Sequence, residues 1–484
     1  MITLFHKIHQ KLMKKLSLLP ILGILIWAAC SQSPSIDSEI TVLHGATLFD
    51  GTGNSISNSV IILQDGKIGA IGGSEVEIPE NVNLVDVTGK FITPGLVDAH
   101  VHFSQTGFFD GRPDALDIRD TLRFDSLQAK QKKHPNRYFE TYLRSGVTAV
   151  YDVGGFEWIV DLSKKAETNL NAPHVAAAGP LLTPFPQDRL DIFNVPPSRQ
   201  MLALTSPEFG KEFVQKNSKL GSTGIKIWSI NLEDSIFMQS LQAVAAEIPL
   251  QGNQLIVHAT DLDQAKEAIR LGAKVLVHSV DDQLVDEEFI QLAKKSGVIV
   301  CPTLVVLPGY SIAFKSLRGE FPLNDPNQVV DPETKNLLND SQSFFKYYQG
   351  QEKFEDMVKS SEETDEKLKS VMYANLKLLY KAGIPIALST DAGNPGTLHG
   401  ISVYDELEAM QKAGIPAKDL IPMATQNGAR AMRRLDDFGT LEVGKMADLI
   451  ILEKDPSMDA SNFRSITHVM RGGLLRPVNV PFEK

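Results

Sequence analysis

Phe91-Ile92-Thr93-Pro94-Gly95-Leu96-Val97-Asp98-Ala99-His100-Val101-His102 reads as an apolar β-strand that ends in two histidines two residues apart. Residues i and i+2 of a strand point to the same side. The imidazoles of His100 and His102 therefore converge at the strand's end, where a divalent cation can be held. One His-x-His pair is weak on its own, because strands acquire two histidines by chance. The pattern gains weight from further ligand-type residues at the ends of later strands.

Four more apolar runs carry such residues. Ser222-Thr223-Gly224-Ile225-Lys226-Ile227-Trp228 has a lysine inside a strand, where an unpaired ammonium is costly. Leu255-Ile256-Val257-His258 and, twenty residues on, Lys274-Val275-Leu276-Val277-His278 each finish on a histidine. The spacer reads as one short helix that starts at Asp261 and stops at Gly272. His258 and His278 are thus expected at equivalent ends of adjacent parallel strands. Pro385-Ile386-Ala387-Leu388-Ser389-Thr390-Asp391-Ala392-Gly393 puts a carboxylate at the end of another strand. Strands are predicted at 95–102, 146–153, 174–178, 224–230, 255–258, 275–278, 298–303 and 385–391, separated by helical stretches. That alternation predicts an α/β fold, a (β/α)8 TIM barrel.

As an ordered set, His100, His102, Lys226, His258, His278 and Asp391 resemble the metal ligands of the amidohydrolase superfamily on barrel strands one, four, five, six and eight. Thr390-Asp391-Ala392-Gly393 followed by Leu398-His399-Gly400 looks like the branch with imidazolonepropionase-like proteins and metal-dependent prolidases. The resemblance covers the chain from about Ile40 to its end. It implies two zinc ions, with manganese or cobalt as alternatives for these nitrogen and oxygen ligands. His100, His102 and Asp391 would hold one ion, and His258 and His278 the other. An ammonium has no free lone pair, so Lys226 cannot ligate as such. Burial favours its neutral amine, which adds carbon dioxide to give a carbamate. The resemblance implies that this carbamate bridges both ions. An unmodified lysine beside a single ion is the alternative. A shared hydroxide would attack the carbonyl, with Asp391 as general acid and base. His399, in a glycine-flanked loop, is the second catalytic candidate, set against a purely structural role in that loop.

The start of the chain predicts where the protein works. Lys14-Lys15 precede an apolar stretch, Leu16 to Ala29, that is short for a bilayer span and fits a secretory signal. Trp27-Ala28-Ala29-Cys30 resembles a bacterial lipobox, although Trp stands where Leu is typical. Residues 1–30 are therefore expected to be a signal peptide, with Met13 as the natural start, and Cys30 the lipidated residue of an exported, membrane-anchored cell-envelope lipoprotein. A plain cleaved signal with a periplasmic or secreted product is the alternative. Cys30 and Cys301 are the two cysteines, so no internal disulfide framework is expected. Cys301 reads as a small core residue. Loss of residues 1–30 removes Lys7, Lys11, Lys14 and Lys15 and no acid, moving the net charge from −11 to −15. Such a chain has no electrostatic reason to bind nucleic acid.

The remaining organisation rests on composition. Residues 31–39 read as a tether. Residues 40–97 are strand-rich, with turns at Phe49 to Asn54 and at Gln64-Asp65-Gly66-Lys67, and 436–484 return to that character. By the resemblance these pieces form a small composite β-sandwich beside a barrel at 98–435. Residues 304–380 form an insert between strands seven and eight, on the active-site side of the barrel. It is expected to act as a lid or pocket wall, or else as a helical decoration or contact with a second copy of the chain. Ser279-Val280-Asp281-Asp282 stands where that branch usually has glycine after the histidine. Arg112, Arg189 and Lys315 are candidate anchors for a substrate carboxylate. The expected activity is hydrolysis of C–N amide bonds in a small molecule or short peptide, as in a dipeptidase, prolidase or N-acyl amino acid hydrolase. Ester, lactone or phosphotriester hydrolysis is the alternative on the same site, and a catalytically silent surface binding protein is a third reading.

Overall fold

In the computed structural model, which describes residues 40–319, 321–348 and 351–482, the turn signals of the first segment close antiparallel hairpins. The signal segment, Cys30 and the tether lie outside the described residues. β1 (Thr41–Phe49) pairs with β2 (Ser55–Gln64), and β2 with β3 (Lys67–Gly72). Asp65 and Gly66 take φ of 53° and 74°, which suits a two-residue hairpin with positive φ at both positions. β4 (Asn83–Asp86) and β5 (Phe91–Pro94) add to β1 in parallel.

The chain then changes to parallel pairing. β6 (Leu96–Val101), β7 (Val147–Asp152) and β8 (His174–Ala177) form one parallel sheet. β9 (Leu181–Thr183), β10 (Met201–Ala203), β11 (Ile225–Trp228), β12 (Leu255–His258), β13 (Val275–Val277) and β14 (Ile299–Cys301) form a second, in the order β10-β9-β11-β12-β13-β14. The short β9 and β10 carry no clear sequence pattern and are additions to the expected strands. Thr223 donates its N–H to Ala177 O at 2.9 Å, joining the two sheets at one side. On the other side, residues 385–392 lie between β14 and β6: Ala387 donates to Val300 O at 2.9 Å and Asp391 to His100 O at 2.7 Å. The regular eighth strand expected at 385–391 is reduced to single bridges, Val300 to Ile386 and Val101 to Ala392. Pro385 has no N–H, Leu388 sends its own to Met423 O, and Asp391 takes φ of 58°, so the ladder is interrupted.

The C-terminal strands β15 (Leu449–Leu452), β16 (Ile466–Arg471) and β17 (Leu474–Pro477) return to the first sheet, where β15 pairs with β5. Both ends of the described chain thus share one eight-stranded sheet. It has its own core, including Leu43, Leu48, Ile61, Ile92, Leu449 and Ile451. A second cluster, with Val97, Ala99, Ile256, Val277, Cys301 and Ala387, packs between the parallel strands. His174, at the start of β8, is buried between Glu167 and Asp448 at 2.9 and 2.8 Å, with Arg471 3.0 Å away. These bonds tie the parallel strands to the terminal sheet.

Beyond β14 come helices at Val306–Ser316, Pro332–Asn339 and Gln351–Ala382. The first packs backbone to backbone on the loop after Asp391: a Cβ on Gly396 would lie 1.9 Å from Gly309 O. Among the described residues, no helix is long and apolar enough to cross a membrane.

Candidate metal centre

The ends of β6, β11, β12 and β13 and the segment after Leu388 converge on one cavity of about 310 Å³. His100, His102, Lys226, His258, His278 and Asp391 all line it. A register irregularity between Asp98 and Val101 in β6 aims the two histidines here. His278 and Asp391 hold φ of 75° and 58°, a left-handed conformation that costs about 1–3 kcal/mol at a non-glycine residue and clusters at functional sites.

The innermost atoms are crowded. Asp391 Oδ1 lies 3.2 Å from His100 Nε2 and 3.0 Å from His102 Nε2, and the two Nε2 atoms are 3.2 Å apart. Ligand atoms about 2.1 Å from a tetrahedral ion sit about 3.4 Å from one another, so the three lie close to the spacing of such ligands. Asp391 Oδ1 is buried yet aligned for no hydrogen bond. His278 Nε2 is 3.8 Å from Asp391 Oδ2, and the His258 ring centroid is 4.2 Å from that of His278. The donor set fits a divalent cation.

Electrostatics agree with ligation. His102 Nδ1 donates to Gly154 O at 2.7 Å, which leaves the Nε2 lone pair facing inward. His278 Nδ1 is 2.7 Å from Thr303 Oγ1. Burial, followed by nearby positive charge, lowers the pKa of His258 to about 3 and those of His100 and His278 well below the ordinary value. Neutral rings are what a cation binds. For His102, burial is outweighed by Asp391, which raises the value. Lys226 is brought down to about 7 by burial, with Asp391, Cys301 and Asp152 opposing. Burial likewise lifts Asp98 to about 7, and Asp98 accepts from Thr390 Oγ1 at 2.6 Å, pinning β6 to the Asp391 segment.

His399 is not brought to the cavity surface. Its Nε2–H donates to Gln105 O at 2.9 Å and Tyr142 OH donates to Nδ1 at 2.8 Å, so both ring nitrogens are engaged. It is buried against Phe103 and Tyr138, which holds its pKa down at about 3. Gln105 itself lines the cavity. Of the carboxylate-anchor candidates, Arg112 lines the cavity, Arg189 is exposed elsewhere, and Lys315 pairs with Glu362. Val306, Leu307, Tyr310 and Met372, all beyond β14, form part of the wall. Gly154, Thr303 and Trp228 also belong to the site, although the sequence does not single them out. A backbone carbonyl leaves no sequence signal, and the pairing of Thr303 with His278 arises only when neighbouring strands meet.

The sequence matches the model of the amidohydrolase family over residues 91–475. It is 24% identical to an imidazolonepropionase of Geobacillus sp. over 457 residues, covering 88% of each chain. It is also 24% identical, over 438 residues, to a 5-methylthioadenosine/S-adenosylhomocysteine deaminase of Syntrophobacter fumaroxidans, covering 86% of this chain and 85% of that one. The crystal structure of a Xaa-Pro dipeptidase with bound methionine in the active site superposes with a TM-score of 0.66 at 22% identity, covering 91% of this chain and all of that one. These likenesses imply an α/β fold of the TIM-barrel type.

Proposed function

The chain belongs to the amidohydrolase family and is a metal-dependent hydrolase of C–N bonds; on that premise we propose that it cleaves amide bonds in dipeptides or N-acyl amino acids at a two-cation centre. The observation that carries this reading is the approach of Asp391 Oδ1 to His100 Nε2 and His102 Nε2 at 3.2 and 3.0 Å without a hydrogen bond. His100, His102 and Asp391 would hold one ion, and His258 and His278 the other. Lys226, as its carbamate, would contribute an oxygen to each. Its pKa of about 7 leaves a large neutral fraction near neutral pH, the form that adds carbon dioxide. Zinc suits these ligands, with manganese or cobalt as alternatives.

Bound cations supply Lewis-acid polarisation of the amide carbonyl and lower the pKa of a water molecule. The chain's own part is orientation and proton transfer. The Gly154 carbonyl and the Thr303 hydroxyl fix the outer nitrogens of His102 and His278. Asp391 takes the proton of the attacking water and passes it to the leaving nitrogen. His399 acts as a positioning residue through the Gln105 carbonyl. The same reading takes 98–435 as a closed (β/α)8 barrel with 385–391 as its eighth strand. Residues 40–97 and 436–484 are then the composite sandwich, a role that their shared sheet supports.

The test is hydrolysis of a panel of dipeptides and N-acyl amino acids by the zinc-loaded, bicarbonate-treated enzyme beside Asp391→Asn. Cleavage that falls by about 10³-fold or more in the variant is expected. Silence across the panel with metal bound would contradict the amide reading and favour esters, lactones or phosphotriesters. Export and lipidation of Cys30 belong to the same proposal. Cys30→Ser should leave the membrane fraction, and its retention there would exclude the lipid anchor.

A further inference from the structure

Among the described residues, the cavity that holds the metal cluster carries two more charged side chains, of opposite sign, and neither belongs to the ligand set. Arg112 lies on the loop after β6, and Asp281 on the loop after β13. We infer that these two residues are the poles of a zwitterion site, Arg112 for the substrate carboxylate and Asp281 for its ammonium group, so that an unblocked dipeptide is preferred to an N-acylated amino acid. The inference rests on the amide-hydrolase reading and chooses between its two substrate classes.

Arg112 is built into place. Its Nε and one Nη donate to Asp114 at 2.9 and 2.7 Å, and the other Nη donates to Asn394 Oδ1. Asn394 Nδ2 donates to the Asp391 carbonyl at 3.0 Å, which turns Oδ1 toward Arg112 and toward the Tyr310 hydroxyl, 3.0 Å away. The Tyr310 ring lies 5.8 Å from the guanidinium carbon. A guanidinium has five N–H groups. Three are engaged, which leaves one N–H on each Nη for a substrate carboxylate. Through Asn394 this pole is fixed relative to Asp391, so the amino acid bearing the carboxylate is expected on the leaving-group side of the scissile bond.

Asp281 faces the same cavity, and among the described residues no cation pairs with it. Its backbone N–H is tied to Thr260 O at 2.9 Å. Its charged neighbours are Asp282 and Asp261, which, after burial, push its pKa up to about 6. Those two have other duties: Asp282 accepts from Leu262 N, and Asp261 caps the helix Leu262–Arg270. The two poles enter the cavity from different connections, Arg112 from the one after β6 and Asp281 from the one after β13. A cavity of about 310 Å³ suits a ligand of dipeptide size.

The test uses substrates matched in shape: Ala-Leu, propionyl-leucine, which lacks the ammonium, and Ala-leucinamide, which lacks the carboxylate, with parallel trios carrying Pro or Phe. The zinc-loaded enzyme should prefer the dipeptide over each partner in kcat/KM by about tenfold or more, the scale of one charge-assisted contact. Asp281→Asn should bring the ratio of Ala-Leu to propionyl-leucine close to one. Arg112→Met should do the same for the ratio of Ala-Leu to Ala-leucinamide. Equal rates on all three in the wild type, or an unchanged first ratio in Asp281→Asn, would overturn the inference. If no amide is cleaved, the amide reading fails by itself. Calorimetric binding of Ala-Leu against propionyl-leucine then decides the zwitterion site, with equal affinity counting against it.

Discussion

At the scale of single residues, the site depends on side chains whose second atom is already committed. His102 is held through Nδ1 by Gly154 O, and Asp391 sets Oδ1 3.2 and 3.0 Å from two imidazole nitrogens. Removing Lys226 should cost more than a charge, because its proposed carbamate serves both ions. Lys226→Ala is expected to lose bound metal, measured by elemental analysis, and to recover part of it on addition of formate or acetate. Full metal content without any added carboxylate would count against the carbamate. The six side chains that meet in the cavity are legible in the sequence because five lie at the ends of apolar runs and the sixth, Lys226, is a charge inside one. The role of His399 is not, since glycine-flanked histidines look alike whether they face a cavity or, as here, a Tyr142 hydroxyl and a backbone carbonyl.

At the scale of elements, two contacts set how the site is framed. The helix Val306–Ser316 meets the loop after Asp391 at Gly309, where a Cβ would come within 2.8 Å of Thr397 Oγ1 and 3.1 Å of Pro395 O. Gly309→Val should therefore push the helix outward and carry Tyr310 with it. We expect a stability loss of about 1–3 kcal/mol and a fall in kcat/KM of up to about 10²-fold, read by denaturation and steady-state kinetics. The second contact is the buried set of His174, Asp448 and Arg471. His174→Ala should destabilise the protein by about 3 kcal/mol in chemical denaturation, because it removes the 2.8 Å partner of the buried Asp448 and leaves it only Arg471 and the Gly472 N–H. Asp448 is fully buried, which alone would raise its pKa, but His174 and Arg471 bring it below the ordinary value. Its contribution is thus present above about pH 4 and is lost as pH falls through the lower folded value. The acid limb of the wild-type stability curve should be shallower in Asp448→Asn. The sequence announces helices and strands through their periodicity, but not these long-range junctions. It also overstates the strand at 385–391, because the diversion of Leu388 N–H to Met423 O depends on a helix far along the chain.

At the scale of the whole molecule, sequence-distant pieces are brought to one place. β1 to β5 and β15 to β17 share a sheet, while Arg112, Asp281, Tyr310 and Asn394 reach one cavity from four different loops and helices. A sequence read from left to right yields the candidate metal ligands, which repeat with the β-α unit, but not the cavity wall, whose members repeat with nothing. The claim on which all of this stands is that the cluster around Asp391 binds the metal that hydrolysis requires. The most direct measurement is the rate of amide hydrolysis by metal-stripped enzyme as zinc is returned stepwise, beside His100→Asn treated alike. No activity is expected at the start, then a rise to a plateau near two equivalents per chain, as for a two-metal site, with no rise in the variant. Full activity in the stripped enzyme, or an identical titration in His100→Asn, would contradict it.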